Sequence, residues 1–122
     1  FFTKNLFLDW RRGEAFFMQN LVDGDFANNN GGWQWSASTG TDAAPYFRVF
    51  NPYSQGAKFD SEGDYVRQYV PELARLTGKQ IHAEPEKRDW SKRVDYVAPI
   101  VDCAETRRVA IEKFAALHER PV

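Results

Sequence analysis

Cysteine is nearly absent from this 122-residue chain: Cys103 stands alone. That excludes an internal disulfide and any cysteine-based metal cluster, and it suits a reducing compartment. Histidine is almost as scarce. His82 and His118 show no ligand spacing, so no metal site is legible, and both are expected at the surface. No apolar run approaches the roughly 20 residues that span a bilayer, and no signal-peptide pattern is visible. A cytoplasmic location is the expectation. Charge of one sign is lacking too. Sixteen basic residues meet seventeen acidic ones, for a net charge of −1. The chain as a whole exerts no electrostatic pull on nucleic acid, and any phosphate contact must come from a local patch. The length suits one domain.

Aromatic residues, by contrast, are abundant. They make up 16% of the chain, with four Trp and ten Phe, within a hydrophobic fraction of 43%. Such content points to stacking surfaces or a thick aromatic core. The chain opens "FFTKNLFLDW", without Met and without a cap before its apolar stretch. It reads as the end of a helix over 1–8, and so as the C-terminal piece of something longer. Phe1, Phe2, Leu6 and Phe7 then form an apolar patch in need of cover.

Periodicity and punctuation predict helices throughout. Asp9 is a suitable N-cap for a helix over 10–22, with Trp10, Phe17 and Leu21 on one stripe. Asp25 caps the next, over 26–38, with Gly40 as its stop. Residues 41–56 read as loop, with Asn51-Pro52 forcing an extended conformation. Short helices follow over 54–60 and, capped by Asp60 or Ser61, to residue 69. Pro71 starts a further turn that Gly78 closes. A polar, irregular stretch runs over 79–99, and a last helix over 99–118 opens with Pro99. "YFRVF" at 46–50 alternates too briefly for a strand. The class is all-α.

The central segment "DGDFANNNGGWQWSASTGTD" carries the chemistry. On a helix, Asp25, Asn29 and Trp33 fall at i, i+4 and i+8, one stripe on one face. Gly32 lies beside them. The face offers a carboxylate, an amide, a bare stretch of backbone and an indole. Two successive glycines in a helix interior each cost about 1 kcal/mol against Ala. One explanation is a helix crossing, with Gly31-Gly32 at the contact and the Trp pair as core. The polar residues on the same stripe favour another. Buried polar groups require partners, and a flat ligand with hydrogen-bonding edges supplies them. Trp35 points away, about 200° around the helix from Trp33.

"DGDFANNNGGWQWSASTGTDAAPYFRVFNPYSQGAKFD", with "FFTKNLFLDWRRGEAFFMQNLVDGD" before it and "DYVRQYVPELARL" after, closely resembles the cryptochrome/photolyase family. The matching region is its C-terminal helical FAD-binding domain, and the likeness is greatest to the bacterial group that repairs cyclobutane pyrimidine dimers. The dense motifs cover residues 1–78, and the likeness weakens through 79–122. The resemblance implies part of one helical domain, incomplete alone, with 1–78 as the flavin- and lesion-facing core and 79–122 as its C-terminal extension. It implies light-driven electron transfer from reduced FAD to a dimer in damaged DNA, flipped into a pocket, by a monomeric enzyme. Asp23, Gly24 and Asp25 match flavin-binding positions. Asn29 matches the residue facing flavin N5. Trp33 and Trp10 match the inner and middle members of the chain that photoreduces the flavin. Trp35 matches the indole lining the dimer pocket, and Arg48 and Gln55 match the lesion and DNA face. An antenna chromophore belongs to a domain outside this sequence. The family also holds blue-light receptors that photoreduce flavin without repairing DNA. An amide at position 29 leans away from these, since it bonds N5 without offering an acidic proton. A truncated product unable to hold FAD is a third reading.

Most of the remaining candidates are structural. Arg11-Arg12 and "EPEKRDWSKR" read as solvated surface, Trp90 as an anchor for the tail, and Met18 as core. Arg48 sits between aromatics in a Pro-rich loop, where a phosphate or base contact is reasonable.

Overall fold

The computed structural model describes residues 1–119. Helices and turns account for all regular structure among the described residues, as the all-α reading expects. The chain divides into two compact units: Phe1–Val49 with the segment from Val101 onward, and Phe50–Ile100.

The first unit is built on a helical hairpin. Helix α1 spans Trp10–Asn20 and α2 spans Phe26–Ser36. Both begin as the capping residues dictate. The Asp9 side chain accepts from Arg11 N–H, and that of Asp25 from Asn28 N–H at 2.8 Å. The C-terminus of α2 differs from expectation. Ser38, not Gly40, supplies the left-handed residue, at φ 56°, with Ser38 N–H donating to Trp35 O and Thr39 N–H to Gln34 O. This is a Schellman closure, which satisfies orphan carbonyls at the helix end. Gly40, at φ 81°, lies beyond it.

Residues 1–8 do not form the expected helix. Asn5 and Leu6 N–H both donate to Phe1 O, and Phe7 then takes φ 54°, which stops propagation. Asn5 donates to Thr106 Oγ1 at 3.0 Å and ties this segment to the last helix, α6, Cys103–His118. That helix starts four residues later than Pro99 suggested. Asp102 caps it, accepting from Ala104 and Glu105 N–H, whereas Pro99 sits in irregular chain. Met18 is 39% exposed, not core.

In the second unit, α3 spans Pro52–Phe59, with Asn51 as cap and Pro52 in the first turn. Helix α4 covers Asp64–Tyr69 and α5 Gly78–Ile81. Asp60 accepts from Tyr65 and Val66 N–H, the capping role foreseen for it. Burial opposes its ionisation, but these backbone hydrogen bonds outweigh that and lower its pKa. Gly78 opens a helix instead of closing a turn. Thr77 and Gln80 form a capping box there, and a Cβ at 78 would meet Ser61 O. Leu73, Leu76, Ile81 and Trp90 make the core. Trp90, 2% exposed, donates Nε1–H to Gln80 O at 2.8 Å, which satisfies its one polar group and makes it the anchor expected. Truncating such a ring to Ala costs about 3–5 kcal/mol. His82 is the exception to the surface expectation. Its side chain is 9% exposed, and its Nε2 lies within hydrogen-bond distance of Asp60 O. Gly56 leaves room for the imidazole, since a Cβ there would meet the ring.

Candidate functional site

Between the N-terminal turn and the α1–α2 hairpin lies an apolar cleft of about 540 Å3. Asp23, Gly24 and Asp25 enter it from the interhelix turn, and Asn28, Asn29, Gly32 and Trp33 from α2. Phe2, Phe17 and Leu21 complete the apolar wall. The stripe read from helical spacing therefore faces one cavity, joined by both acids of the turn.

Asn29, Asn30 and Asp25 are held by their surroundings. Asn29 donates Nδ2–H to the Glu14 backbone carbonyl at 3.0 Å, which leaves Oδ1 as the acceptor of that amide. Asn30 donates to the Glu14 carboxylate and accepts from Gln34, at 2.6 Å, so a polar ladder joins α2 to α1 beside the cleft. Asp25 spends one oxygen on the cap of α2. A helix N-terminus carrying this carboxylate opens onto the cleft, and its remaining oxygen is free of that cap bond.

The glycines resolve the choice left open by the sequence. A Cβ at Gly31 or Gly32 meets nothing within 4 Å, so neither marks a crossing between helices among the described residues. Gly32 nonetheless lines the cleft, where a methyl group would occupy open space. The crossing is made at Gly13 of α1, which is buried. A Cβ there would overlap Cη2, Cζ3 and Cζ2 of Trp33. Phe2 and Phe17 hold the same indole edge-on, with centroids at 5.6 and 5.0 Å. Glycine in "RRGEAFF", inside a capped helical run, was the signal for this contact.

The other candidates lie off the cleft. Trp10 lines a separate recess with Phe7, Leu8, Ala37 and Phe114. It stands three residues before Gly13, on the same side of α1. Trp35 is 36% exposed and absent from the cleft wall. Arg48 is exposed on the loop after α2, whose backbone is held by Lys4: Nζ donates to Arg48 O at 2.9 Å. Lys4 is 5% exposed. Burial first, and then the nearby Arg48 charge, lowers its pKa. Nothing in the sequence singled out Lys4. Gln55 sits within α3, the short helix expected over 54–60, in the second unit.

The donor set fits a flat, hydrogen-bonding cofactor such as FAD. The cleft combines aromatic walls, an orienting amide and bare helix backbone at Gly32, which packing within this chain does not require. Asn28, Asn29, Asp23 and Asp25 would meet polar edges.

Comparison with known proteins agrees. Residues 1–116 match the family model described as the FAD binding domain of DNA photolyase. The chain is 53% identical over 120 residues to the deoxyribodipyrimidine photo-lyase of Escherichia coli K12, covering 95% of this chain and 25% of that protein. It is 49% identical over 117 residues to that of Halobacterium salinarum, covering 93% and 24%. Among solved structures, a bacterial class III photolyase from Agrobacterium tumefaciens superposes with a TM-score of 0.86 at 45% identity, covering 97% of this chain and 26% of that one. An archaeal photolyase from Sulfolobus tokodaii, solved with two FAD molecules, gives 0.80 at 39%, covering 95% and 26%. The chain thus spans about a quarter of the length of the curated relatives it matches. With this match over nearly its whole length, the chain belongs to the family of the FAD-binding domain of DNA photolyase.

Proposed function

We propose that the protein carrying this chain repairs cyclobutane pyrimidine dimers in DNA, using light and FAD. The observation that carries the proposal is the convergence of Asp23, Asp25, Asn29, Gly32 and Trp33 on one apolar cleft, with Trp35 directed elsewhere. Bound FAD would supply light absorption and the single electron that opens the dimer and is returned afterwards.

The residues divide the remaining work. Asp23, Gly24 and Asp25 bind polar edges of the cofactor. Asn29, oriented by Glu14, presents its amide to N5. Gly32 admits the ring system close to the α2 backbone. Trp33 reaches both the cleft and α1, so that it hands electrons on from Trp10. Trp35 is free to stack against a dimer, a contact any base-like π-face can make. Arg48, on its Lys4-anchored loop, and Gln55 meet the lesion or its phosphates. The substrate is damaged DNA with the dimer flipped out, the protein acts as a monomer, and it works in the cytoplasm beside the nucleoid. No helix among the described residues is long and apolar enough to cross a membrane. A further antenna chromophore is expected outside this chain.

The test uses the complete protein with chemically reduced flavin and an oligonucleotide bearing one thymine dimer. Dimer content is compared after blue light and after darkness. Loss in the light alone supports repair. No loss, with flavin bound and photoreducible, moves the protein to the photoreceptor class. Trp33→Phe separates the relay from the repair step: it should slow photoreduction and spare repair by chemically reduced enzyme. Equal loss of both would make Trp33 structural.

A further inference from the structure

We infer that Gly13 is a positioning residue that sets the gap between Trp33 and Trp10, and with it the rate of light-driven reduction. The inference rests on the electron-relay reading above.

Trp33 reaches α1 only because position 13 lacks a side chain. The far edge of its six-membered ring lies where a Cβ would stand, so the indole rests directly on helix backbone. Trp10 is one turn earlier on that helix, and Cβ atoms at such a spacing are about 5–6 Å apart. The seat for one indole is therefore the neighbouring position to the other. Phe2 and Phe17 block the indole on its flanks. A methyl group at 13 leaves it no slack, and the ring must lift away from α1.

Among the described residues, the surroundings of Trp33 leave the relay one direction. Trp33 is in ring contact with phenylalanines, which are far harder to oxidise than tryptophan. No Tyr, Cys or Met lines the cleft among the described residues. An electron vacancy on Trp33 thus finds its acceptable donor across Gly13, at Trp10. Trp33 would give one electron to the bound flavin in the light, Trp10 would refill Trp33, and Trp10, as the middle member, would be refilled by the outer member, with an added thiol as the final reductant. Electron tunnelling falls off exponentially with the gap, so a small lift of the indole acts on rate far more than on structure.

The experiment compares complete wild-type protein with Gly13→Ala, and with Gly13→Ala/Phe17→Leu, whose smaller neighbour lets a displaced indole settle if the single variant folds poorly. Three quantities are read: FAD content, the rate of light-driven reduction with added thiol, and the fluorine NMR resonance of fluorotryptophan-labelled Trp33. Gly13→Ala should retain FAD and, after chemical reduction, repair; the double variant, whose position 17 borders the cleft, is compared per bound FAD. Light-driven reduction should slow several-fold as the gap widens, and the Trp33 resonance should move. A wild-type rate in the variants, or an unmoved resonance, overturns the inference alone. A wild-type protein that holds FAD but is not reduced in light overturns the relay reading, and this inference with it.

Discussion

The side-chain amide of Asn29 in α2 donates to the backbone carbonyl of Glu14 in α1 at 3.0 Å. This bond selects one orientation of the amide. Asn29→Asp would put a carboxylate oxygen against that carbonyl, and only the protonated acid restores a donor there. The substitution therefore favours the acid form and brings an exchangeable proton to the edge where N5 is proposed to lie. The expected outcome is a change in which light-reduced form of the flavin persists, seen in the visible spectrum of the complete protein. A spectrum identical to wild type would place Asn29 away from N5.

Gly32 offers a test of the cleft itself. A Cβ there meets no neighbour within 4 Å. Gly32→Ala should stabilise flavin-stripped protein by about 1 kcal/mol through helix propensity alone. The same methyl group should weaken FAD binding by occupying the cleft. Thermal unfolding of stripped protein and FAD titration read the two effects separately. Unchanged FAD affinity would remove this cleft as the flavin site.

Trp35 ties down the end of α2 through its backbone: its carbonyl accepts from Ser38 N–H at 3.1 Å and from Ala44 N–H at 3.3 Å. Trp35→Ala leaves those bonds in place. Affinity for dimer-containing DNA should drop by about 1–3 kcal/mol, the worth of one base–aromatic stack, with FAD content unchanged. A colourless variant would reassign Trp35 to packing.

Asp9 makes the start of α1 sensitive to acid. Side-chain hydrogen bonds from Arg11, and then Arg11 N–H, hold its carboxyl at about 2. A depressed folded value means that its stabilising effect is full above the ordinary carboxylate range near 4 and lost as pH falls through about 2. Asp9→Asn keeps a capping oxygen without the charge. Amide exchange at Arg11 and Arg12 should therefore be less dependent on pH between about 4 and 2 in the variant, with the two proteins converging at the acid end. The carboxylate is exposed, so the difference should shrink with added salt. Equal pH dependence in both proteins would show that the cap needs no charge.

Much of the candidate site was legible because its signals are local. Asp9 and Asp25 cap helices through N–H groups two or three residues away. Asp25, Asn29 and Trp33 share a face by helical spacing alone, and the cleft collects that face. The family motif added roles that spacing could not supply. The helix misread at 1–8 and the late start of α6 have local causes too, in the left-handed Phe7 and the cap at Asp102.

Sequence by itself thus determined the all-α class, the caps and the grouping of Asn29 with Trp33, because each depends on geometry within a few residues. Tertiary structure alone decided which glycine bears the helix contact. Gly31-Gly32 looked the part, but Gly13 does the work, since the ring it accommodates comes from the other helix. It also decided that His82 packs against Asp60 O and that Lys4 anchors the Arg48 loop. In each case the partner is remote along the chain, and no periodicity reports what packing will bring beside a residue.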